Sequence, residues 1–137
     1  MRNSFILFLS LVYFAGCASN SPPSTTTDVC KIFKERYSWY KAAKKTEKRW
    51  KIPVYVSMAI IKQESSFRAD ARPERTKLLG FIPWKRVTSA RGYAQAVDGT
   101  WEMYLNDRGG WFSSRNDFED SVDFVGWYNY KTHKQLR

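Results

Sequence analysis

The 137-residue sequence predicts a mainly α-helical domain over residues 28–137, set behind a secretory signal and a short polar linker. Three observations carry that expectation. Apolar side chains recur at three- and four-residue steps in separate segments between Val29 and Tyr128. No segment alternates apolar and polar residues convincingly, and there is no internal repeat. The composition, 43% apolar and 17% aromatic, is that of a chain able to build a core.

Residues 1–16 have a signal layout: Arg2, an apolar run from Phe5 to Phe14 broken only by Ser10, then small Ala15 and Gly16 before Cys17. The run is too short for a stable membrane-spanning helix. Phe14-Ala15-Gly16-Cys17 resembles the lipobox of bacterial lipoproteins, although Leu is usual where Phe14 stands. That resemblance implies cleavage before Cys17, acylation of its sulfur and a membrane anchor facing the periplasm. Ala18 after the cysteine implies the outer membrane in a cell that has two. An ordinary signal peptide with an incidental cysteine is the alternative. Residues 17–27, rich in Ser, Thr and Pro, read as a flexible tether.

The first helix opens at Thr27 or Asp28, either of which can cap it, and runs to about Arg49. Val29, Ile32, Phe33, Tyr37 and Tyr40 form its expected buried stripe; its other face is rich in Lys and Arg. Pro53 suits the first turn of a second helix, apolar almost all round from Val54 to Ile61 and so expected to be central. Residues 68–91, basic and punctuated by Pro73, Gly80 and Pro83, read as a loop. Asp98 can cap a third helix carrying Trp101, Tyr104 and Leu105 and ended by Gly109-Gly110. Asn116 or Asp117 can open a fourth, with Phe118, Val122, Val125 and Tyr128 at helical spacing.

The net charge of +10 favours anionic partners, and export removes nucleic acid from among them. Once Cys17 is acylated, Cys30 has no disulfide partner. One His and one free Cys build neither a zinc site nor a Cys–His catalytic pair, so no metal or cofactor is expected.

Glu64 is the most informative residue. Val56, Ile60 and Glu64 share one face of the apolar helix, and a carboxylate there requires a partner, a proton or a cleft. Burial and the negative helix C-terminus both favour the protonated acid that a general acid catalyst needs. An exposed helix-end Glu, or one paired with Arg68, is the competing expectation.

Gln63-Glu64-Ser65-Ser66-Phe67 resembles the Glu-Ser signature of lytic transglycosylases with the soluble-transglycosylase, lysozyme-like fold. That family carries a second motif, usually Gly-Leu-Met-Gln, downstream. Gly92-Tyr93-Ala94-Gln95 stands 28 positions after Glu64, with Tyr-Ala in place of Leu-Met. A third motif, Ala-Tyr-Asn, has its counterpart in Trp127-Tyr128-Asn129, where Tyr128 either faces the catalytic Glu or merely completes the stripe of the last helix. The chain ends eight residues after Asn129, where members of the fold normally carry more helix, so a C-terminally shortened domain is expected.

The resemblance implies cleavage of the β-1,4 bond between N-acetylmuramic acid and N-acetylglucosamine in peptidoglycan glycan strands, with Glu64 as general acid and base and a 1,6-anhydro product. Ser65, Gly92, Tyr93, Gln95, Tyr128 and Asn129 are the implied substrate-binding residues. Tyr93, Trp101 and Tyr128 are candidates for stacking on sugar rings, or are core aromatics. The rivals are a hydrolase of the same fold, a lipid-tethered domain that binds peptidoglycan or envelope proteins without cleaving, and a cationic protein acting on membranes through its Lys-rich first helix.

Overall fold

The computed structural model describes residues 21–108 and 110–137. The signal segment, Cys17, Ala18 and Gly109 therefore lie outside the described residues. Along the chain the elements are α1 (Val29–Glu35), α2 (Tyr37–Trp50), α3 (Val54–Ser65), β1 (Arg75–Leu78), β2 (Ile82–Arg86), α4 (Asp98–Arg108) and α5 (Phe118–Gln135). The mainly α fold expected from the sequence is observed.

Asp28 caps α1 by accepting from the Lys31 amide at 3.0 Å. The expected single first helix is two: Arg36, at φ −128° and ψ 69°, ends α1 and starts α2. The bend turns a different face inward. Tyr37 and Tyr40 are 64% and 38% exposed, and the buried residues of α2 are Trp39, Ala42, Ala43 and Thr46. The linker expected to be flexible is held from Ser21 onward. Arg36 donates to the Ser21 carbonyl at 3.0 Å, and Glu35 accepts from the Ser24 amide and hydroxyl at 2.9 and 2.7 Å.

Pro53 precedes α3 as its N-cap instead of sitting in its first turn. This helix is half-buried, not enclosed: Met58 and Ile61 enter the core while Tyr55 is 72% exposed. Of its Val56–Ile60–Glu64 face, Ile60 and Glu64 line the cleft described below. Between α3 and α4 the expected loop contains an antiparallel ribbon, with Lys77 opposite Pro83 and Leu78 opposite Ile82. Asp117 caps α5, its side chain accepting from the Asp120 amide at 3.0 Å.

α2 and α5 pack most extensively, and Gly126 sets how closely. A Cβ there would lie 2.5 Å from Trp50 Cδ1 and 2.6 Å from Thr46 Cγ2. Two aromatic clusters fill the core. Trp39 stacks on Phe118 with centroids 3.9 Å apart, and Tyr93 meets both edge-on at 5.5 Å. Trp101, Tyr104, Phe124 and Trp127 form the second cluster, at 5.0 to 5.8 Å. Each such ring contributes about 1.5–3 kcal/mol by leaving water. A buried carboxylate ties three helices together. Asp123 on α5 accepts from Trp50 Nε1 at 2.8 Å and Tyr104 Oη at 2.9 Å, and Arg108 Nε lies 2.7 Å away. Burial and the neighbouring Asp123 charge hold the Tyr104 phenol far above its ordinary range.

Candidate active site

α3 ends in a way that presents Glu64. The Ser65 hydroxyl donates back to the Ile61 carbonyl at 3.1 Å, and Ser66 and Phe67 both take left-handed conformations, at φ 51° and 61°. The turn swings Phe67 into the core against Trp39, 5.9 Å between centroids, and leaves Glu64 exposed on the outer face of the last turn. The burial expected for Glu64 is absent. Nor is it paired with Arg68: among the described residues Glu64 has no ion pair, and Arg68 Nε is directed at the Ser65 carbonyl at 3.4 Å.

The 92–95 segment is held by its backbone. Gly92, at φ 79°, donates to the Ala71 carbonyl at 2.9 Å, and Tyr93 donates to the Arg115 carbonyl at 3.1 Å. A Cβ on Gly92 would sit 1.8 Å from that same Arg115 oxygen, so only glycine fits. Gln95 is left-handed at φ 48°, and its Nε2 bridges the carbonyls of Ala71 and Gly92, both at 2.9 Å. Strain of this kind, roughly 1–2 kcal/mol for a residue with a Cβ, is sustained by those side-chain bonds.

Arg115 is the hub that sequence reasoning missed. It is 7% exposed; its Nη1 donates to the Ala96 carbonyl at 2.8 Å and its Nη2 to Asp98 Oδ1 at 2.6 Å. Its own carbonyl also accepts from the Ser121 hydroxyl at 2.9 Å. It thereby joins the 92–96 turn to the starts of α4 and α5. The Asp98 carboxyl is held below its ordinary range by this hydrogen bond. Nothing in the sequence separates Arg115 from the other 22 of the 23 Lys and Arg residues.

These segments enclose a cleft of about 300 Å³ whose lining includes Ile60, Glu64, Gln95, Phe124, Tyr128 and Asn129. Three stretches far apart in sequence, α3, the 94–100 segment and α5, thus meet around one space. Tyr128, 50% exposed, lies on the Phe124 ring at 6.0 Å, and Asn129 Nδ2 donates to the Val125 carbonyl at 2.8 Å. Ser65, Gly92 and Tyr93 do not line the cleft; they are buried beneath it. Tyr93 is packed against Trp39 and Phe118, and burial raises its phenol pKa. Trp101 is likewise a core residue, 6% exposed. Ala94, Val97 and Thr100 line the wall and were not singled out from the sequence, since small and apolar residues carry no chemical signature.

Glu64 is the one acid among the lining residues, which include no cation. Neither Asp70 nor Glu74 lines the cleft. A mainly helical domain with one carboxylate in an open cleft is the arrangement that the motif resemblance leads one to expect. The family model described as "Transglycosylase SLT domain" matches residues 5–137, and the chain belongs to that family of lytic transglycosylases. No curated protein and no solved structure matches it. Membership gives the chain a lytic-transglycosylase-like function with peptidoglycan glycan strands as substrate.

Proposed function

We propose that the chain cleaves the bond between N-acetylmuramic acid and N-acetylglucosamine with Glu64 as the only catalytic carboxylate. The observation that carries this is the cleft itself: Glu64 faces a space shared with Gln95, Tyr128 and Asn129, with no second acid in its walls. A conventional glycosidase needs two carboxylates flanking the scissile bond, one to give a proton and one to attack or to activate water. With one, the same carboxyl can give the proton and then take one back, and the attacking oxygen can be the substrate's own C6 hydroxyl.

In the first step protonated Glu64 gives its proton to the glycosidic oxygen, and the bond from that oxygen to the muramoyl anomeric carbon breaks. The resulting carboxylate then removes the proton from the muramoyl C6 hydroxyl as that oxygen bonds to the anomeric carbon. The products are a 1,6-anhydromuramoyl end and a free hydroxyl on the departing glucosamine; no water is consumed and Glu64 regains its proton. Ile60, Val97, Phe124 and Val125 make much of the lining apolar. A saccharide seated on them excludes water from around the carboxyl, supplying on binding the desolvation that the empty cleft lacks. Tyr128 offers a ring face to the sugar and Gln95 shapes the opposite wall. Glu64→Gln tests the assignment. It keeps size and hydrogen bonding but carries no transferable proton, so release of muropeptides from purified sacculi should fall at least a thousandfold, on the order of one general acid–base contribution or more. Residual release within tenfold of wild type would exclude Glu64 from the chemistry.

We further propose that Cys17 is acylated and holds the domain on a bacterial membrane, the outer one where there are two. The lipobox-like Phe14-Ala15-Gly16-Cys17 and the following Ala18 support this. Metabolic labelling with a fatty-acid analogue should mark the wild type and leave Cys17→Ser unmarked.

A further inference from the structure

Among the described residues, the β1–β2 ribbon is the one element with no extensive contact to any helix. A two-stranded ribbon standing in water is marginal on its own, and this one is apolar where it is most exposed. Leu79 and Phe81 at its tip are 76% and 73% exposed, followed by Trp84 at 55%, Leu78 at 44% and Ile82 at 40%. An exposed cluster of this kind marks an interaction surface.

The charge around that tip identifies the partner. Arg75, Lys77, Lys85 and Arg86 flank it on both arms, and residues 75–87 contain no Asp, Glu, Asn or Gln. None of the four cations is ion-paired among the described residues. From the turn outward the order is aliphatic and Phe side chains, then Trp84 and Lys77, then Lys85, Arg86 and Arg75. That sequence matches depth in a bilayer: hydrocarbon, interfacial aromatic, anionic headgroup. A glycan presents hydroxyl and amide donors, and residues 75–87 offer no carboxylate or carboxamide side chain to accept from them. A second copy would bring four like charges against four.

We propose that the ribbon is a membrane-contact element whose apolar tip enters the surface layer of an anionic bilayer while its cations meet the lipid phosphates. Its base is closed by the Gly92 amide donating to the Ala71 carbonyl at 2.9 Å, so the ribbon projects from a clamp that does not depend on its tip. The contact requires neither acylation at Cys17 nor chemistry at Glu64, and fails or stands separately from both.

The test uses the full chain with Cys17→Ser and Cys30→Ser, and Leu79→Cys carrying an environment-sensitive fluorophore. On vesicles of phosphatidylglycerol and phosphatidylethanolamine the emission should shift to the blue and be quenched by brominated acyl chains. On phosphatidylcholine vesicles both responses should be weak. Lys77→Glu with Lys85→Glu should lower the affinity for anionic vesicles at least about tenfold, since each basic residue near such a surface contributes severalfold. Helical circular dichroism unchanged in that variant confirms that the body is folded. An unshifted probe on anionic vesicles, equal response on both lipids, or an unchanged affinity in the double variant overturns the proposal. A probe that responds to sacculi or to an acidic envelope protein but not to vesicles overturns it as well.

Discussion

Replacing Gly92 by Ala should damage both stability and activity, by an amount the structure lets one work out. The added Cβ meets two obstacles. The backbone sits at φ 79°, where a residue with a side chain is strained by about 1–2 kcal/mol. The Cβ would also lie 1.8 Å from the Arg115 carbonyl oxygen, a backbone atom that cannot swing aside. Relieving that contact pulls the carbonyl from the Tyr93 amide and the Ser121 hydroxyl, which it accepts at 3.1 and 2.9 Å. Two hydrogen bonds at a net 0.5–1.5 kcal/mol each bring the total to roughly 2–5 kcal/mol. At roughly 4 °C per kcal/mol, the melting temperature followed by circular dichroism should drop by about 8–20 °C. Muropeptide release below the transition should fall too, because Gln95 anchors to the Gly92 carbonyl. Gly80→Ala is the internal control. Gly80 has nearly the same φ, 81°, but nothing within 4 Å of its Cβ, and it lies in the ribbon turn away from the helices. It carries the backbone strain without the clash, so its melting temperature should fall by no more than about 4–8 °C, less than that of Gly92→Ala. Equal melting temperatures for Gly92→Ala and wild type would refute the close approach of the 92–95 turn to Arg115.

Tyr128→Ala should lower muropeptide release at least tenfold while costing only about 1–2 kcal/mol of stability, since the ring is half exposed and packs on Phe124; a loss of activity explained by unfolding would show in the same melt. Asp123→Ala leaves Arg108, Trp50 and Tyr104 without their shared acceptor and should destabilise by about 3–5 kcal/mol, measured by urea titration. Asp98 and Asp107 are held below the ordinary carboxylate range by hydrogen bonds from Arg115 and from Lys131 and Trp127. Their folded-state pKa values are depressed, so their contribution is complete above about pH 4 and is lost as pH falls through the depressed values. The melting temperature should therefore decline below about pH 4, and less steeply in an Asp98→Asn, Asp107→Asn variant.

Much of the helical frame was legible because capping and periodicity agree at its ends. Asp28 and Asp117 cap as expected, and Phe118, Val122 and Val125 are buried at their helical spacing. The break at Arg36 was not legible: no Gly or Pro marks it, and the apolar spacing runs straight across it into Tyr37 and Tyr40. The ribbon was invisible for a different reason. A strand with no buried face leaves no period-two signal, and Pro83 argued against a strand at all. At the candidate site, Glu64, Gln95, Tyr128 and Asn129 were found through motif order and meet around one cleft. For Glu64 the sequence left enclosure and an exposed helix end open, and the structure gives the exposed end. The apolar composition of α3 suggested enclosure, whereas one side of that helix is solvent and another is the cleft. Motif membership also does not say which residues touch the ligand; Gly92 and Tyr93 build the turn from below, and Arg115 locks it from outside any motif.

The central claim is that the substrate's own C6 hydroxyl, and not water, attacks the anomeric carbon under the control of Glu64. The direct measurement is mass spectrometry of muropeptides released from purified sacculi in water enriched in heavy oxygen. The mechanism predicts anhydromuramoyl ends, lighter than reducing ends by one water and free of heavy oxygen, in amounts that vanish with Glu64→Gln. Reducing ends that carry the solvent label would contradict it and assign the cleft to a hydrolase.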